Sequence, residues 1–91
     1  MTCEIVSMFY VYVLKSLNDN GLYIGYTKNL RERVRAHSSR LVKSTRNRLP
    51  LELVYYEASL DQDDSIRRER YLKTTYGRKY LKNRLKKYFT G

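Results

Sequence analysis

The chain has 91 residues, enough for one small domain with a modest core and a thin margin of stability. Lys and Arg number 19 against 9 Asp and Glu, a net charge of +10, which points to a polyanionic partner, nucleic acid first of all. One Cys (Cys3) and one His (His37) exclude a disulfide framework and a Cys- or His-rich zinc site, and no apolar run approaches the ~18 residues of a membrane span.

The start, Met1 to Met8, lacks the basic region and long apolar core of a signal peptide, so a cytoplasmic protein is expected. Phe9 to Leu14 is aromatic and β-branched and predicts a strand. Asn20-Gly21 is a turn signal, and Leu22 to Tyr26 is the return strand. If Lys15 opposes Leu22, then Leu14 opposes Tyr23 and Tyr12 opposes Gly25. Tyr12 and Tyr23 then share a sheet face as diagonal neighbours, and Gly25 leaves open space opposite Tyr12.

Thr27 is the expected N-cap of a helix from about Lys28 to Ser38, with Leu30 and Val34 as its buried stripe. Arg33 and His37, at i and i+4, flank that stripe, while Arg31 and Arg35 point to solvent. Residues 39–50 have no clear period and read as a basic loop, and Leu51 to Ala58 alternates as a third strand. Asp61 is expected to cap a helix from about Gln62 to Tyr76, with Asp63 and Asp64 in its first turn serving the helix dipole rather than a metal. Ile66, Leu72 and Tyr76 define the core face of that helix, and Glu69 falls in its middle. A carboxylate there needs a partner: either an ion pair with Lys73 or Arg70, or a bound cation. Gly77 is the expected C′ residue. A last helix, about Arg78 to Tyr88, presents Leu81, Leu85 and Tyr88 to the core.

The charge is clustered. Lys28 to Arg48 holds eight basic residues with one acid, Glu32, and Arg67 to Lys87 holds ten with one acid, Glu69. Within these blocks Lys28, Arg31, Arg35, Arg46, Arg48, Lys73, Arg78 and Lys82 are the candidate nucleic-acid contacts.

Tyr10-Val11-Tyr12, Tyr23-Ile24-Gly25, Arg33 and Glu69, in this order and spacing, resemble the GIY-YIG nuclease superfamily. The resemblance runs from about Phe9 to Tyr88. It is closest to the small stand-alone bacterial members and to the N-terminal nuclease domain of excinuclease C. LYIGYTKNLRERVRAH is its most specific part, and ERYLKTTYGRKYLKNRL looks like the C-terminal part of the small members. The first motif departs, with Tyr10-Val11 where Gly-Ile stands in the family, but it keeps Tyr12.

The resemblance implies one domain over residues 1–91, of α/β (α+β) class: a three-stranded antiparallel sheet flanked by about three helices. It implies a divalent-metal-dependent endonuclease acting on DNA that is branched, nicked or damaged, in repair or recombination. DNA and RNA are not separated by the sequence. Tyr12 and Tyr23 are then active-site tyrosines, Arg33 the phosphate-binding arginine, and Glu69 the ligand of a single Mg²⁺ or Mn²⁺. His37 falls where members place a His or Tyr near the nucleophile. Asn83 is a candidate for an asparagine that often follows the Glu. Where some members use a Lys after the second motif, this chain has Tyr26, with Lys28 close by.

Either tyrosine would orient water and take its proton, provided a nearby cation lowers a pKa that is ordinarily near ~10. His37, ordinarily near ~6.5, is the competing base. The same charge pattern is compatible with a second class, a basic nucleic-acid-binding module without catalysis, using exposed Tyr to stack on bases.

Overall fold

A computed structural model describes residues 7–91 of the chain. Cys3 and most of the stretch on which the signal-peptide expectation rests lie outside the described residues.

Three strands form one antiparallel sheet in the order β2-β1-β3. Strand β1 spans Phe9–Ser16, β2 Leu22–Thr27 and β3 Leu51–Ser59. As the central strand, β1 is covered on both faces, which is why Val11, Tyr12, Val13 and Leu14 are all buried in succession. The β1–β2 register is the expected one: Lys15 opposite Leu22, Leu14 opposite Tyr23, Tyr12 opposite Gly25. The turn fixes it. Asn20 takes a positive φ of 61°, which an Asn tolerates, and Asp19 Oδ1 accepts from the Gly21 amide at 2.7 Å. Opposite β3 the register slips between Val13 and Leu14, because Val13 faces Tyr55 and Leu14 faces Leu53, leaving Val54 as an extra residue.

Helix α1, Leu30–Ser38, begins two residues later than expected, because Asn29 and not Thr27 caps it. The Asn29 side chain accepts from the Glu32 amide at 3.1 Å, whereas Thr27 ends β2 and its hydroxyl bonds Asn29 itself. Asp61 caps helix α2, Gln62–Leu72, as expected, accepting from the Asp63 amide at 2.8 Å.

The expected helix to Tyr76 is broken. Thr74 Oγ1 accepts from the Gly77 amide at 3.1 Å and so starts a new helix, α3, Thr75–Arg84. Gly77 therefore lies in a first turn, not after a last one. Its missing Cβ lets α3 pass against the backbone of Tyr71 and Leu72. Tyr76, expected in the core, is 74% exposed. The chain breaks again at Leu85, and α4, Lys86–Thr90, makes a fourth helix where about three were expected. No described helix is long and apolar enough to cross a membrane.

Leu72 of α2 and Leu81 of α3 pack on Val11, Val13 and Ile24 to form the apolar core on one sheet face. Helix α1 lies on the other face, where His37 is its buried residue.

Candidate active site

Strand alternation sends Tyr10, Tyr12 and Tyr23 to the face that α1 covers. Gly25 is opposite Tyr12, and the Tyr12 ring lies so close over it that a Cβ would run into the ring carbons and hydroxyl. That absence of a side chain lets the Tyr12 hydroxyl reach across β2 to α1.

There it meets two side chains one helical turn apart. Arg33 Nε donates to the Tyr12 oxygen at 3.3 Å, and His37 Nε2 is 2.9 Å from it. On the other side of the imidazole, His37 Nδ1 is 2.6 Å from Thr45 Oγ1. Tyr12 is 1% exposed, and His37 and Thr45 have no exposed surface. One proton arrangement uses every donor. Arg33 donates to Tyr12, Tyr12 donates to His37 Nε2, and His37 Nδ1–H donates to Thr45. The opposite tautomer would leave the buried Tyr12 proton without an acceptor.

Burial, followed by the charge of Arg33, lowers the His37 pKa to about 4, so the ring is neutral at physiological pH. Burial also raises the Tyr12 pKa above its ordinary value; the hydrogen bond from Arg33 lowers it only in part, and the charges of Tyr23 and Glu69 raise it further. Of the cations expected to lower this pKa, Arg33 alone does not offset the desolvation. His37, expected as the competing base, has no exposed surface and a pKa of about 4.

Tyr23 is only partly buried. Its ring centroid is 6.3 Å from that of Tyr12 and 5.1 Å from that of His37, and it also acts on Arg33, whose pKa is raised above its ordinary value, first by the Tyr12 hydrogen bond. Glu69 comes from α2, on the opposite sheet face, and its charge reaches Tyr12. Its side chain is 19% exposed and lies 3.2 Å from Lys73, itself half exposed. Three elements, β1, β2 and α1, thus bring Tyr12, Tyr23, Arg33 and His37 together, and Glu69 acts on Tyr12 through its charge from α2. Thr45 joins them although its loop has no periodicity to single it out.

Other expected residues lie elsewhere. Tyr26 stacks on Phe9, with centroids 6.4 Å apart, on the sheet face opposite Tyr12, and Asn83 is exposed on α3. Among the expected nucleic-acid contacts, Arg48 is tied to Asp19 at 3.0 Å and Lys73 to Glu69. Lys28, Arg31, Arg35, Arg46, Arg78 and Lys82 are exposed.

Sheet, helices and cluster define a small α+β domain with a buried tyrosine, arginine and histidine cluster under α1. Residues 8–88 match the family described as the GIY-YIG catalytic domain. A UPF0213 protein of Clostridium perfringens is 43% identical over 67 residues, covering 72% of this chain and 71% of its own length. A UPF0213 protein of Staphylococcus haemolyticus is 39% identical over 74 residues, covering 80% of this chain and 89% of its own length. A third, from Pediococcus acidilactici, is 43% identical over 81 residues and is covered, like this chain, to 82%. No solved structure matches. The chain belongs to the GIY-YIG catalytic domain family, a family of nucleases.

Proposed function

We propose that the protein is a divalent-metal-dependent endonuclease that hydrolyses DNA phosphodiester bonds, with a role in repair or recombination. The observation that carries this reading is a guanidinium fixed on a buried tyrosine beside a partly exposed phenol, with the charge of a largely buried carboxylate reaching that tyrosine, in a chain of this family.

Glu69 is a single carboxylate, and among the described residues no three His, Cys, Asp or Glu side chains gather. One carboxylate fits Mg²⁺ or Mn²⁺, hard cations that keep several waters and complete their shell with phosphate oxygens. It does not fit the three or four protein ligands that zinc takes. When bound, such an ion supplies charge neutralisation at the phosphate and stabilisation of the leaving oxygen.

The chain's own residues do the rest. Arg33 spends Nε on Tyr12, which holds the guanidinium in place and leaves its other donors for a non-bridging phosphate oxygen. Tyr23, the more exposed phenol, orients the attacking water. Tyr12 is a positioning residue: its hydroxyl donates to His37 Nε2, which leaves an oxygen lone pair to accept from Arg33. His37 and Thr45 act through Tyr12 and touch no substrate.

The test is cleavage of a panel of branched, nicked and linear DNAs and matching RNAs, with Mg²⁺ or Mn²⁺ and with EDTA, by wild type and Glu69→Gln. Wild type is expected to cut only with the divalent ion. Glu69→Gln is expected to lose cleavage, to bind DNA as before, and to fold normally, because its pair with half-exposed Lys73 is worth under about 1 kcal/mol. It should also lose the rise in melting temperature that the ion gives wild type. A Glu69→Gln protein that cuts at the wild-type rate would overturn the assignment. Salt-sensitive binding with no cleavage under any divalent ion would favour a non-catalytic basic module.

A further inference from the structure

Helix α1 covers only part of its sheet face. Beyond it, over β1 and β3, an open groove of about 610 Å³ remains. Its floor is aromatic: the rings of Tyr10 and Tyr56 lie 6.1 Å apart, tilted by 60°, and Tyr56 is 52% exposed. Val34 of α1 forms part of one wall, and Lys28, Arg31 and Arg35 line the groove with it.

Two features suit this groove to a polyanion. Arg48, Arg67, Arg68 and Lys73 are all held by carboxylates, whereas Lys28, Arg31 and Arg35 form no ion pair among the described residues. No acidic side chain lines the groove among those residues. A cationic rim over an aromatic floor matches a strand that offers both phosphates and base faces. A duplex offers only the phosphates, since its base faces are stacked on one another, and would leave Tyr10 and Tyr56 unused.

The position fits the site. At ~100° per residue, Arg31 and Arg35 are nearly opposite Arg33 round the helix. One helix, about 10 Å across, therefore separates the groove from the tyrosine cluster. We propose that this groove holds unpaired nucleotides next to the cleaved bond, with Tyr56 and Tyr10 stacking on bases and Arg31 and Arg35 meeting phosphates. The inference rests on the nuclease reading and narrows its substrate to DNA with a single-stranded segment beside the scissile phosphate.

Binding of a fluorescein-labelled oligothymidylate and of a blunt duplex of equal length is measured by anisotropy in EDTA, so that no cleavage is needed. Tyr56→Ala is expected to weaken single-strand binding about tenfold, the scale of one lost stack, and to leave duplex binding unchanged. Tyr56→Phe keeps the ring and should keep the affinity. Arg31→Ala should flatten the slope of log K against log[salt] by about one on the single strand. Tyr56→Val, suited to a strand but without a π face, serves if the Ala variant does not fold.

Unchanged single-strand affinity in the Ala or Val variant would overturn the proposal, as would equal losses on both DNAs. So would a shift from dimer to monomer in sedimentation, which would make the groove a contact between copies of the chain. Cleavage unaffected by loss of the groove's single-strand binding would overturn the groove's role and leave the nuclease reading intact. Single-strand binding through Tyr56 in a protein that cuts no DNA would do the reverse.

Discussion

Along β1, Val11 and Val13 point to one face of the sheet, and Tyr10 and Tyr12 to the other. The first face is closed by two helices, with Leu72 and Leu81 fully buried against Val11, Val13 and Ile24. The second has one helix, four tyrosines, a buried histidine and an open groove. Apolar area removed from water stabilises in proportion to its extent, so the first face supplies most of the stability of a small domain. The second keeps buried polar groups only because each has a partner. A strand's period of two thus lets one short segment serve stability on one side and a polar cluster on the other, with the charge of Glu69 on α2 reaching across to Tyr12.

The largest effect should come from breaking the apolar face. Leu81→Ala removes a fully buried side chain and should cost about 2–5 kcal/mol, much of the margin of so small a domain. Urea denaturation reads it, and cleavage by the fraction still folded should proceed at the wild-type rate. A folded variant with slow cleavage would mean that the two faces are coupled.

On the other face, Arg33→Ala should lower cleavage ~10²-fold with little change in melting temperature, the scale of one lost electrostatic donor. Arg31→Ala should act on DNA affinity and not on the single-turnover rate. If Arg31→Ala slowed the chemical step more, the division of α1 into a site side and a groove side would be wrong.

Acid should weaken the fold through His37. Its folded pKa, about 4, lies below the unfolded value near ~6.5, so the unfolded chain takes up the proton first. The stability is full above pH ~6.5, falls as pH drops, and is lost below about 4, a total of up to about 3 kcal/mol. Melting temperature against pH should show this fall in wild type and a shallower one in His37→Gln. Profiles of the two proteins that superimpose from pH ~7 to ~4 would contradict the buried neutral ring.

The smallest effect tests the end of the hydrogen-bond chain. Thr45→Val keeps the shape and leaves His37 Nδ1–H without its acceptor, at a cost of about 1–3 kcal/mol in stability. Cleavage should fall less than in Arg33→Ala, because Thr45 reaches the phosphate only through His37 and Tyr12. Thr45→Ser should restore both rate and melting temperature. Failure of Ser to rescue would show that packing, not the hydroxyl, matters at this position.

What local rules control was legible in the chain. The β1–β2 register followed from Asn20-Gly21 and strand alternation, and it predicted Tyr12 opposite Gly25. Asp61 as a cap followed from its place before a helical run. The spacing of Arg33 and His37 put both on one side of α1, and Glu69 stood out as a charge on an apolar stripe. Where two local signals competed, the expectation failed: Thr27 and Asn29 both suit a cap, and Thr74 starts a helix where Gly77 suggested an end. The direction in which each gathered pKa moves depends on packing. Tyr12 beside a guanidinium reads in sequence as a lowered pKa, but desolvation depends on how much protein surrounds the ring, and burial reversed the sign. Thr45 was illegible for a related reason, since its role is one contact across a loop with no period. The Tyr56 groove depends on what α1 leaves uncovered, a property of how the helix lies on the sheet and of no single segment of the chain.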